Sequence, residues 1–168
     1  LYAREAWSTP TLVIADDVVL SADRLTDGGS GKKAKANAGD AQLVALSAAT
    51  GKVLWQSPCA EGHTSSPEIF VANGVVWAGE NKSHKQLDWR TGRDLHTGKV
   101  VKEFGETEGW PDWHHHRCYR EKATTRFLLS GRTGVEFTDL ESGKLTPHNW
   151  IRGICRYGIL PCNGMIYL

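Results

Sequence analysis

Short apolar runs, each bounded by turn residues, follow one another along the chain, and none keeps the apolar spacing of a long helix. The clearest unit runs from Ala45 to Trp55, where an apolar segment, a Thr-Gly-Lys turn and a second apolar segment lie in succession. Short apolar runs between turn residues are typical of β-strands. The pattern therefore predicts an all-β chain built from strand–turn–strand units.

Two predicted hairpins precede such units and are alike. Residues 8–15 and 18–22 form the first, and residues 65–72 and 75–79 form the second. The second is joined by Asn-Gly, a favoured hairpin turn because both of its residues accept positive φ angles. The Thr-Gly-Arg stretch at residues 91–93 predicts a further turn.

Residues 24–40 interrupt the strand pattern. They are rich in Gly, Lys, Ala, Asp and Asn, and no apolar period continues through them. Segments of this composition bury too little apolar surface to pack as strands. We therefore predict a solvated loop insertion within a single partial domain that spans residues 1–168.

The turn glycines recur at a regular distance. Gly51, Gly98 and Gly143 are each followed by Lys, and they lie 47 and 45 residues apart. A period in the forties is typical of β-propeller blades, whereas a β-sandwich has no reason to repeat this turn. The predicted fold is an incomplete β-propeller of about three to four blades, each a four-stranded antiparallel sheet. Its missing blades would come from the same or another chain.

The unit from Ala45 to Trp55 resembles the repeat of the pyrroloquinoline-quinone-type propellers, which is approximately Ala-Leu-Asp-x-x-Thr-Gly-Lys-x-x-Trp. Ser47 stands where that repeat has Asp. The resemblance implies that Gly51 permits the tight turn and that Trp55 docks on the neighbouring blade, with Phe104 and Trp150 as degenerate versions. The superfamily includes quinoprotein alcohol dehydrogenases and the non-catalytic propeller lipoproteins of outer-membrane assembly.

A second resemblance covers roughly residues 65–168 and is to a group of large exported bacterial proteins of the planctomycete type. It implies a periplasmic or extracellular location. The segments that carry it are residues 66–70, 73–77, 115–120, 122–124, 134–137 and 152–164.

The sequence departs from the quinoprotein dehydrogenases at their cofactor site. Those enzymes use a vicinal Cys-Cys pair over the quinone, and this chain has none. Their Ca²⁺ ligands and catalytic Asp also have no match here by motif. No cofactor is therefore firmly expected, and pyrroloquinoline quinone is implied by resemblance alone.

Charge and hydropathy limit the partners. The net charge is +1, so no strong field draws the protein to nucleic acid, and no apolar run has the length of a membrane-spanning helix. Arginines are frequent in the second half, and if some of them converge at a propeller rim they would suit a protein or a small anionic ligand. The alternative is scattered surface ion pairs with acidic neighbours. These arginines are Arg117, Arg120, Arg126, Arg132, Arg152 and Arg156.

Three consecutive histidines make the sharpest polar cluster. On a strand, His114 and His116 share one face, and with a third ligand they would bind Zn²⁺ or Cu²⁺. The alternative is a segment at a blade rim, with one histidine bonded to the backbone and the others exposed. Two histidines alone do not complete a metal site.

The cysteines are Cys59, Cys118, Cys155 and Cys162, and no two of them form a Cys-x-x-Cys pair. An even number in a chain rich in Trp and Gly fits an oxidising compartment. We predict a disulfide between Cys155 and either Cys118 or Cys162, which would join adjacent elements. Buried free thiols are the alternative.

The sequence therefore predicts a non-catalytic binding or scaffold propeller in an exported bacterial protein. The alternative function is a quinoprotein-type oxidoreductase domain that binds pyrroloquinoline quinone in a central channel. A third hypothesis is metal-dependent hydrolysis through the histidine cluster. Leu1 is not a start methionine, and the last residues read as a turn and the start of a strand, so we expect a piece of a longer chain.

Overall fold

The computed structural model describes residues 11–24, 41–59, 68–78, 91–104, 120–131, 134–155 and 157–168. These residues contain strands and turns, and no helix. None of their segments is a helix long and apolar enough to cross a membrane. The strands are β1 (Thr11–Ala15), β2 (Val18–Arg24), β3 (Ala41–Ser47), β4 (Val53–Pro58), β5 (Phe70–Ala72), β6 (Val75–Trp77), β7 (Thr91–Asp94), β8 (Val100–Glu103), β9 (Lys122–Ala123), β10 (Phe127–Ser130), β11 (Val135–Asp139), β12 (Leu145–His148), β13 (Leu160–Cys162) and β14 (Met165–Tyr167).

The strands form three four-stranded sheets and one two-stranded sheet. The orders are β1-β2-β3-β4, β5-β6-β7-β8, β9-β10-β11-β12 and β13-β14, so every strand pairs with its neighbour in sequence. All pairs are antiparallel. This confirms the predicted fold class, an all-β chain whose sheets are those of an incomplete β-propeller.

The chain divides into two compact units. Unit 1 is Leu1–Glu103 and contains β1 to β8, and unit 2 is Phe104–Leu168 and contains β9 to β14. Each unit has its own apolar cluster.

In unit 1 the first two sheets pack face to face. Val18, Leu20 and Ala45 of the first sheet are fully buried in one cluster with two residues of the second. Ile69 directly precedes β5, and Val76 lies in β6. β-branched and aliphatic side chains fill such an inter-sheet layer well. The short apolar runs of the sequence are therefore realised as strands that pack sheet on sheet.

Unit 2 has a smaller cluster. Leu129 of β10, Val135 of β11 and Ile159, directly before β13, are buried together. The rings of Phe127 and Phe137 meet edge to face beside them, with centroids 5.7 Å apart, a favourable arrangement for aromatic pairs. This cluster joins the hairpin β13–β14 to the four-stranded sheet.

The predicted Asn-Gly hairpin turn is confirmed. Asn73 and Gly74 have φ angles of 52° and 74°, and Asn163 and Gly164 repeat them at 51° and 73°. The turn between β1 and β2 also has a residue with positive φ, Asp16 at 47°. The hairpins β1–β2, β5–β6 and β13–β14 therefore all have a two-residue turn whose first residue has a positive φ, and in the last two hairpins the second residue, a glycine, has one as well.

The predicted turn at residues 91–93 is wrong, because these residues belong to strand β7. Gly92 pairs with Trp77 of β6, and a Cβ at Gly92 would lie 2.8 Å from the indole ring. The glycine leaves room for a large cross-strand ring instead of reversing the chain. Arg24, the first residue of the predicted loop insertion, belongs to β2, and residues 25–40 lie outside the described residues, so the insertion stays a prediction.

Candidate functional site

A turn of constant geometry joins the third and fourth strands of each four-stranded sheet. We call Ser47–Lys52, Asp94–Lys99 and Asp139–Lys144 the Gly-Lys turns. In each, the first residue donates its amide to the carbonyl of the final Lys, and the Gly amide donates to the carbonyl of the first residue, with distances of 2.8–3.0 Å. The glycines have φ angles of 67°, 69° and 72°, a region that residues with a side chain rarely adopt. Gly51, Gly98 and Gly143 therefore all lie at equivalent positions of these turns.

A further backbone bond ties each Gly-Lys turn to the preceding hairpin of the same sheet. Ala48 donates to the carbonyl of Asp17, and Leu95 donates to the carbonyl of Gly74. In the third sheet Leu140 donates to the carbonyl of Arg126. The two loops at that end of each sheet are therefore held together by main-chain hydrogen bonds.

Trp55 covers the second Gly-Lys turn. Its Nε1 donates to the carbonyl of Leu95 at 2.9 Å, and a Cβ at Gly98 would lie 2.6 Å from the ring. Trp55 is buried, and it belongs to β4 while Leu95 and Gly98 follow β7. The docking that the family resemblance implies for Trp55 is therefore present within unit 1.

Phe104 covers the third Gly-Lys turn within unit 2. A Cβ at Gly143 would overlap the ring of Phe104, so that glycine also accepts an aromatic side chain directly over its backbone. The third aromatic residue expected in this role, Trp150, is 94% exposed. It lies after the end of β12, and the expectation that its ring docks in the same way is wrong for this structure.

Carboxylates close the second and third turns from inside. Asp94 Oδ1 accepts hydrogen bonds from the amide and the hydroxyl of Thr97 at 2.8 and 2.7 Å. Asp139 Oδ1 accepts from the amides of Ser142 and Glu141, both at 2.9 Å. Each carboxylate is therefore bound to its own turn.

These hydrogen bonds favour the charged form of both acids. The bond from the Thr97 hydroxyl contributes most to lowering the pKa of Asp94. The amides of Ser142 and then Glu141 contribute most at Asp139, and they lower its pKa to about 2. Ser47 occupies the same position in the first turn, and no hydrogen bond from its side chain is found among the described residues. Ser47 replaces the usual Asp of the repeat, whereas Asp94 and Asp139 restore it in the second and third turns, which was not predicted from the sequence.

The predicted metal ligands His114 and His116 lie outside the described residues, as does Cys118. Within the described ranges no group of three His, Cys, Asp or Glu residues is placed to hold a metal ion. The histidine cluster therefore stays a prediction.

The predicted disulfide between Cys155 and Cys162 is not formed in this structure. Both are free, exposed thiols, and Cys59 is a free, buried thiol. Cys155 lies in the turn closed by Ile154 and Gly158, and a guanidinium nitrogen of Arg152 lies 4.0 Å from its Sγ. Cys162 instead ends strand β13.

One of the arginines that suggested an anion site takes part in a surface ion pair. Arg126 Nε lies 3.2 Å from Asp139 Oδ2, and its guanidinium stacks 5.0 Å from the centroid of Phe127. Exposed pairs of this kind contribute little to stability. For Arg126 the structure therefore fits the ion-pair alternative. Arg117, Arg132 and Arg156 lie outside the described residues.

A buried acid in unit 2 was not singled out from the sequence. Glu136 is 3% exposed, and its carboxylate accepts hydrogen bonds from the amide of Gly134 at 3.1 Å and from the hydroxyl of Ser130 at 3.2 Å. Ser130 and Glu136 face one another across β10 and β11. These contacts fix the connection between the two strands, so Glu136 has a structural role there.

The polar groups described at the Gly-Lys turns thus form hydrogen bonds within the turns, and the lysine at the end of each turn is exposed. Such a set can present side chains to a partner from a rigid frame. It does not assemble a nucleophile, a base and an orienting group, the arrangement that covalent catalysis needs.

No family model matches this chain, and no curated protein matches it. Among solved structures it is similar to the computationally designed Ika4 protein, with a TM-score of 0.57 and 14% identity, over 96% of this chain and 84% of that one. It is also similar to BamB from Moraxella catarrhalis, with a TM-score of 0.44 and 18% identity, over 78% of this chain. The match spans only 33% of the BamB chain. At these identities the likeness to the designed protein concerns the fold alone.

Proposed function

We propose that this chain is a non-catalytic binding or scaffold segment of a β-propeller in an exported bacterial protein, located in the periplasm or outside the cell. The observation that supports this most is the repeated Gly-Lys turn. Three turns share one backbone geometry, and an aromatic ring lies over two of them. Rigid frames that position surface loops are well suited to binding, because little conformational entropy is lost when a partner docks.

The partner side of the proposal concerns the end of each sheet that holds the Gly-Lys turn. Each turn finishes with an exposed lysine, Lys52, Lys99 or Lys144. A protein surface or a small anionic ligand, such as a carboxylate or a sulfated glycan, is the chemistry that such cations attract. The carboxylates of Asp94 and Asp139 compete little for these lysines, since they already accept hydrogen bonds within their turns.

Binding of a sulfated oligosaccharide, measured by isothermal titration calorimetry, tests the partner side. We expect the triple variant Lys52→Gln, Lys99→Gln, Lys144→Gln to weaken binding about tenfold or more, since each lost contact to an anion is worth about 0.5–1 kcal/mol. Lys122→Gln is the matched control, because this lysine lies in β9, away from the Gly-Lys turns. Equal binding by the triple variant and the wild type would contradict this assignment.

The alternative function is a quinoprotein-type oxidoreductase domain, which the family resemblance supports. Its test is to incubate the protein with pyrroloquinoline quinone and Ca²⁺, desalt it, and record the absorbance of the quinone. The scaffold proposal expects no retained quinone, and stoichiometric retention would overturn it in favour of the oxidoreductase.

Metal binding by the histidine cluster has a separate test. If His114 and His116 hold a metal, elemental analysis of the purified protein will find close to one equivalent, and the double variant His114→Ala, His116→Ala will lose it. A metal content that is the same in both proteins, or absent from both, contradicts that hypothesis.

A further inference from the structure

Three hairpins with two-residue turns can be aligned residue by residue, from Val13 to Leu20, from Phe70 to Trp77 and from Leu160 to Tyr167. The strand registers agree in all three, since the middle pairs are Ile14 with Val19, Val71 with Val76 and Pro161 with Ile166. Directly opposite residues of antiparallel strands share a face, and successive residues alternate between faces. Each hairpin therefore has two equivalent faces, which we can compare between copies.

We call the face that carries the middle pair face B, and the opposite face is face A. Face B also includes the residue that precedes each hairpin, because it lies two positions before the first residue of the middle pair. Face A of β1–β2 consists of Val13, Ala15, Val18 and Leu20, and face B of β5–β6 consists of Ile69, Val71 and Val76.

Unit 1 shows how these faces pack. Val18 and Leu20 of face A are 0% exposed, and they form one cluster with Ile69 and Val76 of face B. Val13, Ala15 and Val71 pack against the same cluster. Face A of one sheet therefore packs on face B of the next sheet in unit 1.

In unit 2, face B of the last hairpin, β13–β14, is also covered. Ile159 is 2% exposed, and Ile166 packs on the same cluster as Leu129 and Val135. The opposite face of this hairpin, face A of β13–β14, consists of Leu160, Cys162, Met165 and Tyr167. All four of these side chains are exposed, Leu160 by 59% and Met165 by 55%.

The first hairpin has the reverse pattern. Its face A is buried, whereas Leu12 and Ile14 of its face B are 64% and 74% exposed. The equivalent residues of the second hairpin, Ile69 and Val71, are buried or half-buried. Among the described hairpin residues, the exposed apolar side chains thus lie on face A of β13–β14 and on the β1 edge of face B of β1–β2.

We propose that a second copy of this chain covers these faces, with face B of β1–β2 of one copy packed on face A of β13–β14 of another. Face A of β13–β14 and the β1 edge of face B of β1–β2 are exposed in the single chain, and unit 1 shows that these two types of face pack on each other. Leu12, Ile14, Leu160, Met165 and Tyr167 carry no charge that would oppose the contact. Because the two faces differ, the interface is head-to-tail, and it generates a ring or an open chain of copies.

Sedimentation velocity of the purified chain over a range of concentrations tests the interface. We expect reversible self-association of the wild type, weakened at least about a hundredfold by Ile14→Asp and by Met165→Asp, because each places a charge in an apolar contact. Val101→Asp is the matched control. Val101 is 53% exposed on β8, outside both faces, and its substitution leaves self-association unchanged. A wild type that stays monomeric throughout overturns the inference but leaves the proposed binding function untouched.

A mixing experiment distinguishes this interface from a symmetric one. Ile14→Asp keeps an intact face A and Met165→Asp keeps an intact face B, so we expect each variant alone to be monomeric and their mixture to form dimers only. Self-association of Ile14→Asp as strong as that of the wild type would show that face A packs on another face A, and it would overturn the head-to-tail arrangement.

Cross-linking gives a result that does not depend on these charged variants folding. Cys162 lies exposed on face A, so Ile14→Cys places a second thiol on the facing surface of the neighbouring copy. Two thiols lose two electrons and two protons to added diamide and form an intermolecular disulfide. We expect covalent multimers for Ile14→Cys on a non-reducing gel, and none for Val101→Cys or for Ile14→Cys combined with Cys162→Ser. Equal cross-linking of Val101→Cys contradicts the proposal.

Discussion

The first Gly-Lys turn and the two that follow it have the same backbone conformation but differ in the side chain at the first position of the turn. All three have the same pair of main-chain hydrogen bonds and the same positive φ at glycine. In the second and third turns a carboxylate accepts hydrogen bonds from residues two and three positions later, and in the first turn Ser47 stands in its place. The backbone geometry is therefore attainable without the carboxylate.

The comparison separates what defines the turn from what strengthens it. Glycine is needed in every copy because of its φ angle, and the aromatic ring over Gly98 or Gly143 leaves no room for a Cβ. The aspartate adds local hydrogen bonds to a turn that already forms. Substitutions that remove the ring, the glycine and the aspartate should therefore have effects that decrease in this order.

Removing the ring of Trp55 should have the largest effect. Trp55→Ala deletes a buried indole and its hydrogen bond to Leu95, and we expect a loss of about 3–5 kcal/mol in the free energy of unfolding, measured by chemical denaturation. Trp55→Phe keeps most of the apolar contact and should cost about 1–2 kcal/mol, mainly because the Leu95 carbonyl loses its partner. Trp150→Ala is the control, and we expect a change within about 0.5 kcal/mol, since that ring is exposed. Equal losses in the two Trp→Ala variants would contradict a docking role for Trp55.

A side chain at Gly98 should be the next most damaging change. Gly98→Ala combines a positive φ with a Cβ that lies 2.6 Å from the Trp55 ring, and we expect a loss of about 3 kcal/mol from the two costs together. Gly74→Ala is a close control, because Gly74 has a φ of 74° and open space around its Cβ position. It should lose only about 1 kcal/mol, the cost of backbone strain. If both variants lose the same stability, the ring does not constrain Gly98.

The repeating part of the fold was predictable because its signals are local. Asn-Gly and Gly-Lys turns carry their φ preferences in the sequence itself, so Asn73, Gly74 and the three turn glycines were placed correctly. The same reasoning predicted a turn at residues 91–93, where the structure has a strand. There the glycine is explained by the ring of Trp77 on the neighbouring strand, a contact between residues far apart in sequence.

Side-chain contacts that depend on tertiary position were predicted less well. Trp55 and Trp150 both follow a Gly-Lys turn, yet one is buried on a glycine and the other is exposed. Strand β12 was not predicted, because the polar residues and proline from Leu145 to His148 do not resemble a strand. The burial of Glu136 was not predicted either, and one of its hydrogen-bond partners, Ser130, lies on the opposite strand of a hairpin.

Exchanging the residue at the first position of the turns should give a smaller effect. Asp94→Ala removes the acceptor for the amide and the hydroxyl of Thr97, so we expect lower stability and faster hydrogen exchange at the Thr97 amide. Ser47→Asp is the reciprocal change, and it should stabilise the first turn by supplying the missing acceptor. Both are measured by thermal denaturation and by amide exchange. If Ser47→Asp destabilises the first turn, the amides of that turn are not oriented to donate to a carboxylate as they do in the other two turns.

The smallest effect should be the pH dependence that the two aspartates confer. The pKa of Asp139 is about 2 in the folded protein and near 3.8 in an ordinary environment, and that of Asp94 is also lowered. A lowered pKa stabilises the folded state above the ordinary pKa, and this contribution is lost as the pH falls from about 4 towards 2. Asp139→Asn should therefore flatten the fall in stability between about pH 4 and pH 2, whereas Ser47→Asp should steepen it, because its new carboxylate would accept the same hydrogen bonds. Denaturation midpoints measured across this range test both, and a Ser47→Asp curve parallel to that of the wild type would show that the first turn does not bind a carboxylate as the other two do.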